Sequence, residues 1–219
     1  MKNYLSLLIA SLLIFSLSSC TKEILTGTGK TVTETRLLPV FSSILADGNH
    51  AVEIIYSPKY KVELEGYENL IGGYLAKVEN GRLSFQFANF KTVDNDNIKL
   101  RIYTPSLDSL FVTDAADVNI TSGTNPNSFT TSLDSNSMLH MTAGNVSLFN
   151  ITAAGNSKVF GEPFSAKEAS VVSSGNASLE VRATEKITME IKGNSVVQYW
   201  GNAATENISV EEQAQLIRH

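Results

Sequence analysis

The chain has 219 residues, enough for one domain or two small ones, and its 42% hydrophobic and 18% charged content is that of a folded globular protein. Its 17 basic and 22 acidic residues give a formal net charge of −5. Nucleic acid is excluded as a partner, because phosphate contacts need clustered lysine and arginine, and the sequence has no such cluster.

Residues 1–19 have the pattern of a lipoprotein signal peptide. Lys2 precedes Tyr4–Leu17, an uncharged apolar run of fourteen residues, whereas a membrane-spanning helix needs roughly twenty. The run ends in Leu-Ser-Ser-Cys, which resembles the bacterial lipobox, and Cys20 is the single cysteine of the chain. We therefore expect Cys20 to be lipidated and to anchor the protein in a membrane. The alternative is an ordinary secretory signal followed by a buried free cysteine.

The exported chain that this signal implies has no means of forming an internal disulfide, so strand ladders and an apolar core must hold it together. Removing residues 1–19 removes one lysine and no acidic residue, which leaves 16 − 22 = −6. Residues 20–30, the lipidated cysteine and a short polar stretch containing glycine, predict a tether between lipid and domain.

Residues 31–110 predict an N-terminal segment of β-strands. The alternation in Tyr60–Tyr67 places Val62 and Leu64 on one face, and Ile98–Tyr103 alternates in the same way. Between them, Asn80-Gly81 is the strongest short signal for a β-hairpin.

From about Leu110 the sequence becomes a repeat. An Asp or Asn followed three positions later by an apolar residue recurs at spacings of 19, 20, 20 and 18 residues. These anchor residues are Asp117, Asn136, Asn156, Asn176 and Asn194. A near-constant period with aligned apolar columns is typical of stacked rungs that bury one another's faces. We predict an all-β fold in which residues 111–208 form a β-solenoid of about five rungs and residues 209–219 a C-terminal tail or cap.

The recurring Gly-Asn pair predicts the corner of each rung, since both residues tolerate positive φ. A ligand loop repeated in each unit is the alternative interpretation. Asn145 stands between two anchors and indicates a second strand within a unit. Amide side chains stacked in register are expected to hydrogen-bond from rung to rung. The predicted turn ladder consists of Asp117, Asn136, Asn145, Asn156, Asn176 and Asn194.

Four stretches resemble the bacterial GIN-domain lipoproteins, also described as auto-transporter adhesin head domains. They are Gly29–Ile44, Tyr67–Phe85, Tyr103–Ile120 and Ile191–Ala203. The resemblance implies a right-handed β-solenoid, an adhesive role and no established enzymatic activity. The family's repeats usually read Gly-Ser-Gly-Asp, whereas most repeats here carry Asn instead of Asp. That departure argues against a cation site made of stacked carboxylates.

The sequence contains no catalytic constellation. His50, His140 and His219 are far apart and lack metal-ligand spacing, and no Gly-x-Ser-x-Gly elbow is present. The acidic residues of Leu179–Glu190 alternate outward, as on a solvated strand face. We therefore expect no catalytic residue, no metal and no cofactor, and we rank a glycan-modifying enzyme on a β-helix scaffold last.

Tyr199 and Trp200 are the one candidate pair for ligand stacking. Neighbouring strand residues point to opposite faces, so at most one of them belongs to the core. Trp200 either covers the end of the solenoid or forms an exposed platform for a glycan or a surface or matrix protein. The leading hypothesis is a lipid-anchored outer-membrane protein that faces outward and mediates adhesion. The alternative is a structural lipoprotein facing the periplasm, and the oligomeric state stays open.

Overall fold

The computed structural model describes residues 24–88, 92–122 and 124–219. The predicted signal peptide and the predicted lipidation site, Cys20, lie outside the described residues. Within these ranges the chain is almost entirely β-strand, with one helical turn, α1, at Glu68–Ile71. The strands are β1 Ile24–Thr26, β2 Thr31–Leu37, β3 Ser43–Ala46, β4 Ala51–Tyr56, β5 Lys61–Tyr67, β6 Tyr74–Glu79, β7 Arg82–Phe87, β8 Thr92–Asp94, β9 Lys99–Thr104, β10 Ser109–Val112, β11 Asp117–Ile120, β12 Ser128–Leu133, β13 Met138–Met141, β14 Gly144–Ala153, β15 Lys158–Phe160, β16 Phe164–Ser173, β17 Ser178–Ile191, β18 Val196–Trp200, β19 Thr205–Val210 and β20 Gln215–Arg218.

The strands stack into two faces of a β-solenoid, as the period predicts. Face 1 runs β6-β7-β3-β10-β12-β14-β16-β17-β19, and face 2 runs β2-β5-β9-β4-β11-β13-β15-β17-β18-β20. The long strand β17 contributes its first half to face 2 and its second half to face 1. Pairing along the solenoid is parallel, and the antiparallel pairs β6–β7, β2–β5 and β5–β9 lie at its N-terminal end. The all-β solenoid is confirmed.

Aligned apolar columns fill the space between the faces. Phe129, Phe149, Ala169 and Ile187 are stacked in register along face 1, and each is at most 3% exposed. The position that follows each corner asparagine is also fully buried, which explains why only small residues occur there. These residues are Ser137, Ser157, Ala177 and Ser195.

The solenoid begins earlier and ends later than residues 111–208. Strands β3 and β4 pair in parallel with β10 and β11, so residues 43–56 form a rung below the five predicted ones. Strands β19 and β20 form another rung above them, so of the two predicted forms, tail or cap, residues 209–219 are part of the last rung that caps the solenoid. The sequence hid this last rung because two of its inward slots carry the charged residues Glu206 and Arg218, which align with Ile187 and Tyr199.

The predicted tether is also shorter than residues 20–30. Strand β1 pairs in parallel with β8, and the Gly27 N–H donates to the Asp94 carbonyl at 2.8 Å. The Asn95 side chain donates to the Gly27 carbonyl at 2.7 Å, so the chain joins the fold by residue 24. No helix in the described residues is both long and apolar enough to cross a membrane.

Candidate ligand-binding face

Four of the six predicted ladder residues form one continuous row of side-chain hydrogen bonds along a corner. The Asn156 amide donates to Asn136 Oδ1 at 3.0 Å, and the Asn176 amide donates to Asn156 Oδ1 at 2.9 Å. The Asn194 amide completes the row by donating to Asn176 Oδ1 at 3.2 Å. Gly155, Gly175 and Gly193, just before three of these asparagines, have φ between 66° and 74°, the left-handed conformation that a sharp corner needs.

Asp117 and Asn145 do not belong to this row. Asp117 lies in β11 and pairs with Met138, two residues beyond Asn136, so the residue equivalent to Asn136 in that rung is Ala115. The true offset between these two rungs is therefore 21 residues rather than 19. Asn145 lies in the first part of β14 and pairs with Ser165, away from the corner. It does mark a second stretch of strand within its rung, as its position between two anchors predicts.

We expect Asn176→Ala to lower the free energy of unfolding by about 1 kcal/mol, because it removes two exposed side-chain hydrogen bonds in the middle of the row. In a domain of this size that loss corresponds to a fall in melting temperature of roughly 2–4 °C. Asn145→Ala, at an exposed asparagine outside the row, is the matched control and should leave the melting temperature nearly unchanged. Equal melting temperatures for the two variants would show that the row contributes nothing.

Tyr199 and Trp200 point to opposite faces of β18, and neither covers the end of the solenoid. Tyr199 is 2% exposed, and its hydroxyl accepts a hydrogen bond from the Ala203 N–H at 3.0 Å, so it is a core residue. Trp200 lies on the outer side of face 2, where the His219 ring stacks on it at a centroid distance of 4.3 Å. The prediction that Trp200 shields the terminal rung is therefore wrong, because β20 continues the solenoid beyond β18.

A half-buried cluster of polar side chains joins the N-terminal segment to the first rung. His50 Nε2 lies 3.0 Å from Asp96 Oδ2, and its Nδ1 lies 3.1 Å from the Asp47 carbonyl oxygen. The hydroxyl of the buried Tyr74 is 3.3 Å from the same Nδ1. The sequence separates these residues, so only the fold reveals the cluster. Its three elements hold one another in place, which is a structural role.

Opposing effects set the charge of this cluster. Burial alone would lower the pKa of His50, but the hydrogen bonds to Asp96 and to the Asp47 carbonyl outweigh it, and the pKa lies above 6.5. Burial acts to raise the pKa of Asp96, yet the His50 contact holds that pKa below 3.8. Burial raises the pKa of Asp47, with a further contribution from the nearby Asp114 carboxylate. Burial also raises the pKa of Tyr74, which stays neutral.

We expect His50→Gln to destabilise the protein more at pH 5.5 than at pH 8.5. A histidine with a raised pKa stabilises the fold fully below its unfolded value of about 6.5, and this contribution is lost as the pH rises through the raised pKa. Asp96, with a lowered pKa, stabilises the fold at pH values above 3.8, and this stabilisation is lost as the pH falls through its own pKa. Thermal melts of the wild type and the variant at both pH values measure the difference, and equal losses would contradict the charged pair.

The outer side of face 1 carries a groove of about 590 Å³ at its N-terminal end. Strand β3 forms its floor, between β7 and β10. The Arg82 side chain crosses from β7 to β10, where its guanidinium lies 4.6 Å from the centroid of the Phe111 ring. The Ser43 hydroxyl beneath it is buried and has no hydrogen-bond partner among the described atoms. Glu79 and Asn80, from the hairpin, complete one wall.

A row of small polar side chains leads from this groove along the whole of face 1. Each pairs in register with the next, and the strands that carry them are about 4.8 Å apart. From the groove outward, the row is Ser109, Thr130, Asn150, Ser170, Thr188 and Asn207. The rows that flank it mix apolar and charged side chains: Leu148 precedes the Glu168–Lys186 ion pair on one side, and Val172 precedes Glu190, paired with Lys192, on the other. We call the groove and this row the polar face.

Comparison with known protein families identifies the family of this chain. The model of the family described as "putative auto-transporter adhesin, head GIN domain" matches residues 40–203. The chain belongs to this family. The resemblance drawn from sequence is thereby confirmed. No protein of curated function matches the sequence.

Solved structures share the fold of this GIN domain. A putative adhesin of Bacteroides fragilis aligns with a TM-score of 0.68 and 16% identity, over 89% of this chain and 100% of its own. A putative adhesin of Parabacteroides merdae aligns at 0.55 and 14%, over 90% and 99%. A putative lipid binding protein of Parabacteroides distasonis aligns at 0.54 and 14%, over 89% and 100%. At these identities the likeness shows the fold alone.

Sequence reasoning missed the polar face of this GIN domain, although part of its signal was visible. The alternation of Leu110 and Val112 places Phe111 outward, and the Asn80-Gly81 hairpin places Arg82 just beyond the turn. Their meeting depends on the strand order β7-β3-β10, which no local pattern reveals. Within the described residues, no three His, Cys, Asp or Glu side chains gather in a way that could hold a metal ion.

Proposed function

We propose that this GIN domain is a non-enzymatic adhesion or interaction module, anchored in the outer membrane through lipidated Cys20 and exposed at the cell surface. The observation that carries the proposal is the polar face, a long regular surface of paired strands with a groove at one end. Such a surface suits contact with an extended ligand. Membership of an adhesin family supports the same interpretation.

The polar face has the composition of a contact surface rather than that of a catalytic centre. Its six-residue row carries only hydroxyl and amide groups, which have ordinary reactivity without an adjacent base. Glu79 and Arg82 are the ionisable groups among the residues that line the groove. Two histidines have carboxylate partners, and both lie outside the polar face: His50 uses Asp96 to join two parts of the fold, and His140 lies 3.4 Å from Asp117 on face 2.

The position of β1 suggests how the proposed anchor would orient the module. Because β1 is already paired at Ile24, at most residues 20–23 would separate lipid from fold, a reach of roughly 14 Å. The seven rungs from β3 and β4 to β19 and β20, at about 4.8 Å each, would then span roughly 30 Å beyond the N-terminal strands β2, β5 and β9. The polar row would run along this length, with its last residues farthest from the lipid.

Protease shaving of intact cells tests the proposal. We expect cleavage of this protein while a periplasmic control protein survives, and we expect Cys20→Ala to release the protein from the membrane fraction. Survival of the protein until the outer membrane is breached would refute surface exposure and favour the structural lipoprotein facing the periplasm. Membrane retention of the Cys20→Ala variant would refute the lipid anchor.

A further inference from the structure

We infer that the ligand of the polar face is an extended oligosaccharide that carries a carboxylate, bound with its carboxylate at Arg82 and its hydroxyls along the polar row. This inference rests on the proposed function, because it names the ligand class of that same surface. Three independent features carry it: the state of Arg82, the register of the row, and the pairing of every strand of the row before β19 on both sides.

Arg82 differs from the other arginines of the described chain. Each of the other four lies within ion-pair distance of a carboxylate: Arg36 of Glu34, Arg101 of Glu53, Arg182 of Glu162 and Arg218 of Glu206. Arg82 instead stacks on the Phe111 ring. Stacking fixes the plane of the guanidinium while leaving its N–H donors free, and that planar fork matches a carboxylate. Glu79, the cross-strand partner of Arg82, lines the same groove, but its carboxylate lies 3.9 Å from Lys77 Nζ and not within ion-pair distance of Arg82. The guanidinium of Arg82 therefore has no direct ion pair among the described residues.

The row beside the groove matches a polyhydroxylated ligand. Its hydroxyl and amide groups repeat at the strand spacing of about 4.8 Å, comparable to one sugar residue of an extended chain. A single internal hydrogen bond is found along it, from the Asn150 amide to Thr130 Oγ1 at 3.4 Å. The remaining groups of the described row are thus available to sugar hydroxyls. Leu148 and Val172 supply exposed apolar surface on which the C–H faces of sugar rings can pack.

A peptide fits this surface less well. Extended peptides gain most of their affinity by adding a strand to an exposed sheet edge. Strands β10, β12, β14, β16 and the second half of β17 are each paired on both sides, so the row from Ser109 to Thr188 offers side chains and no backbone edge; within the described residues only β19, at its end, has an unpaired side. Uniform small polar side chains also lack the pockets that distinguish one peptide residue from another. A saccharide needs neither feature.

Titration calorimetry with matched pairs of saccharides tests the inference on the chain from Thr21 onward, which includes every described strand. Tetragalacturonic acid is compared with its methyl ester, and 3′-sialyllactose with lactose, so that uronic and sialic acids are distinguished. We expect at least one acid to bind about tenfold or more tightly than its neutral partner. Arg82→Gln should abolish this preference, and Arg82→Lys should restore only part of it because the planar fork is lost.

Two further variants separate the groove from the rest of the surface. Thr130→Val removes one hydroxyl of the row and should weaken the acidic probe several-fold while its preference over the neutral partner persists. Arg101→Gln removes an arginine of face 2 and should change nothing. Circular dichroism and melting temperature confirm that each variant is folded.

Failure of this inference is distinguishable from failure of the proposed function. A wild type that binds neither acid, or binds each acid no better than its neutral partner, overturns the inference, and so does an acid preference that survives Arg82→Gln. Neither result affects surface exposure, which shaving measures separately. Binding to an array of matrix proteins without saccharide binding would keep the adhesion function and replace its ligand.

Discussion

Gly201→Ala should lower the free energy of unfolding by roughly 3–4 kcal/mol, enough to lower the melting temperature by about 10 °C. Gly201 follows β18 with φ at 123°, a conformation that residues with a side chain rarely adopt. A Cβ atom there would overlap the Ala183 carbonyl oxygen of the rung below and lie 3.1 Å from its carbon. Because both groups are backbone, no side chain can move aside, and the two upper rungs must separate.

Gly29→Ala is the matched control for this prediction. Gly29 also has a positive φ, 97°, but a Cβ atom there would meet nothing within 4 Å. Its cost is the backbone strain alone, about 1–2 kcal/mol. Urea denaturation measures the free energy of unfolding of both variants. If their m-values agree, the difference between the two free energies is the cost of the clash between rungs. If Gly201→Ala cost no more than Gly29→Ala, the close approach of the rungs at this point would be refuted.

The solenoid was predictable because its signals are local or periodic. Alternation identified β5 and β9, Asn80-Gly81 identified the β6–β7 hairpin, and the twenty-residue period identified stacked rungs. The register of the first repeat was not predictable in the same way. Its corner is formed by Asp114 and Ala115, without the asparagine that marks later corners, so the sequence pattern points to Asp117 instead.

The C-terminal end of the solenoid was hidden for a physical reason. The last rung has no further rung above it, and charged residues take two of its inward slots, which weakens the apolar alternation that Ile208 and Leu216 keep. Arg218 makes two hydrogen bonds to the Glu206 carboxylate, at 2.9 and 2.7 Å, and its guanidinium lies 5.9 Å from the Tyr199 ring. Inward charges of this kind discourage further strand pairing at an exposed edge.

The candidate site was less predictable than the fold because it depends on contacts between distant strands. Arg82 and Phe111 are ordinary residues in sequence, and the groove exists because β3, far earlier in the chain than β10, lies between their strands. The polar row was hidden for a different reason. Serine, threonine and asparagine in outward slots are expected on any solvated strand, and only their alignment across six rungs distinguishes them.

Phe149→Ala should be the most damaging core substitution, with a loss of roughly 3–5 kcal/mol. Phe149 is 1% exposed and lies at the centre of three phenylalanines. Its ring stacks on Phe129 at a centroid distance of 5.7 Å and meets the edge of Phe164 at 5.1 Å. Removing it leaves a cavity that strands fixed in parallel pairing on both sides cannot close, because each backbone is held by the rungs above and below.

Phe160→Ala provides the comparison that separates the cavity from the loss of an aromatic ring. Phe160 is 38% exposed and stacks on the His140 ring at 4.5 Å, on the outer side of face 2. Its loss removes one exposed stacking contact and leaves no cavity, so we expect a cost of about 1 kcal/mol or less. Urea unfolding of both variants measures the difference. Similar losses of unfolding free energy would mean that the rungs relax around position 149 and fill the cavity. The paired strands would then hold the backbone less rigidly than this prediction assumes.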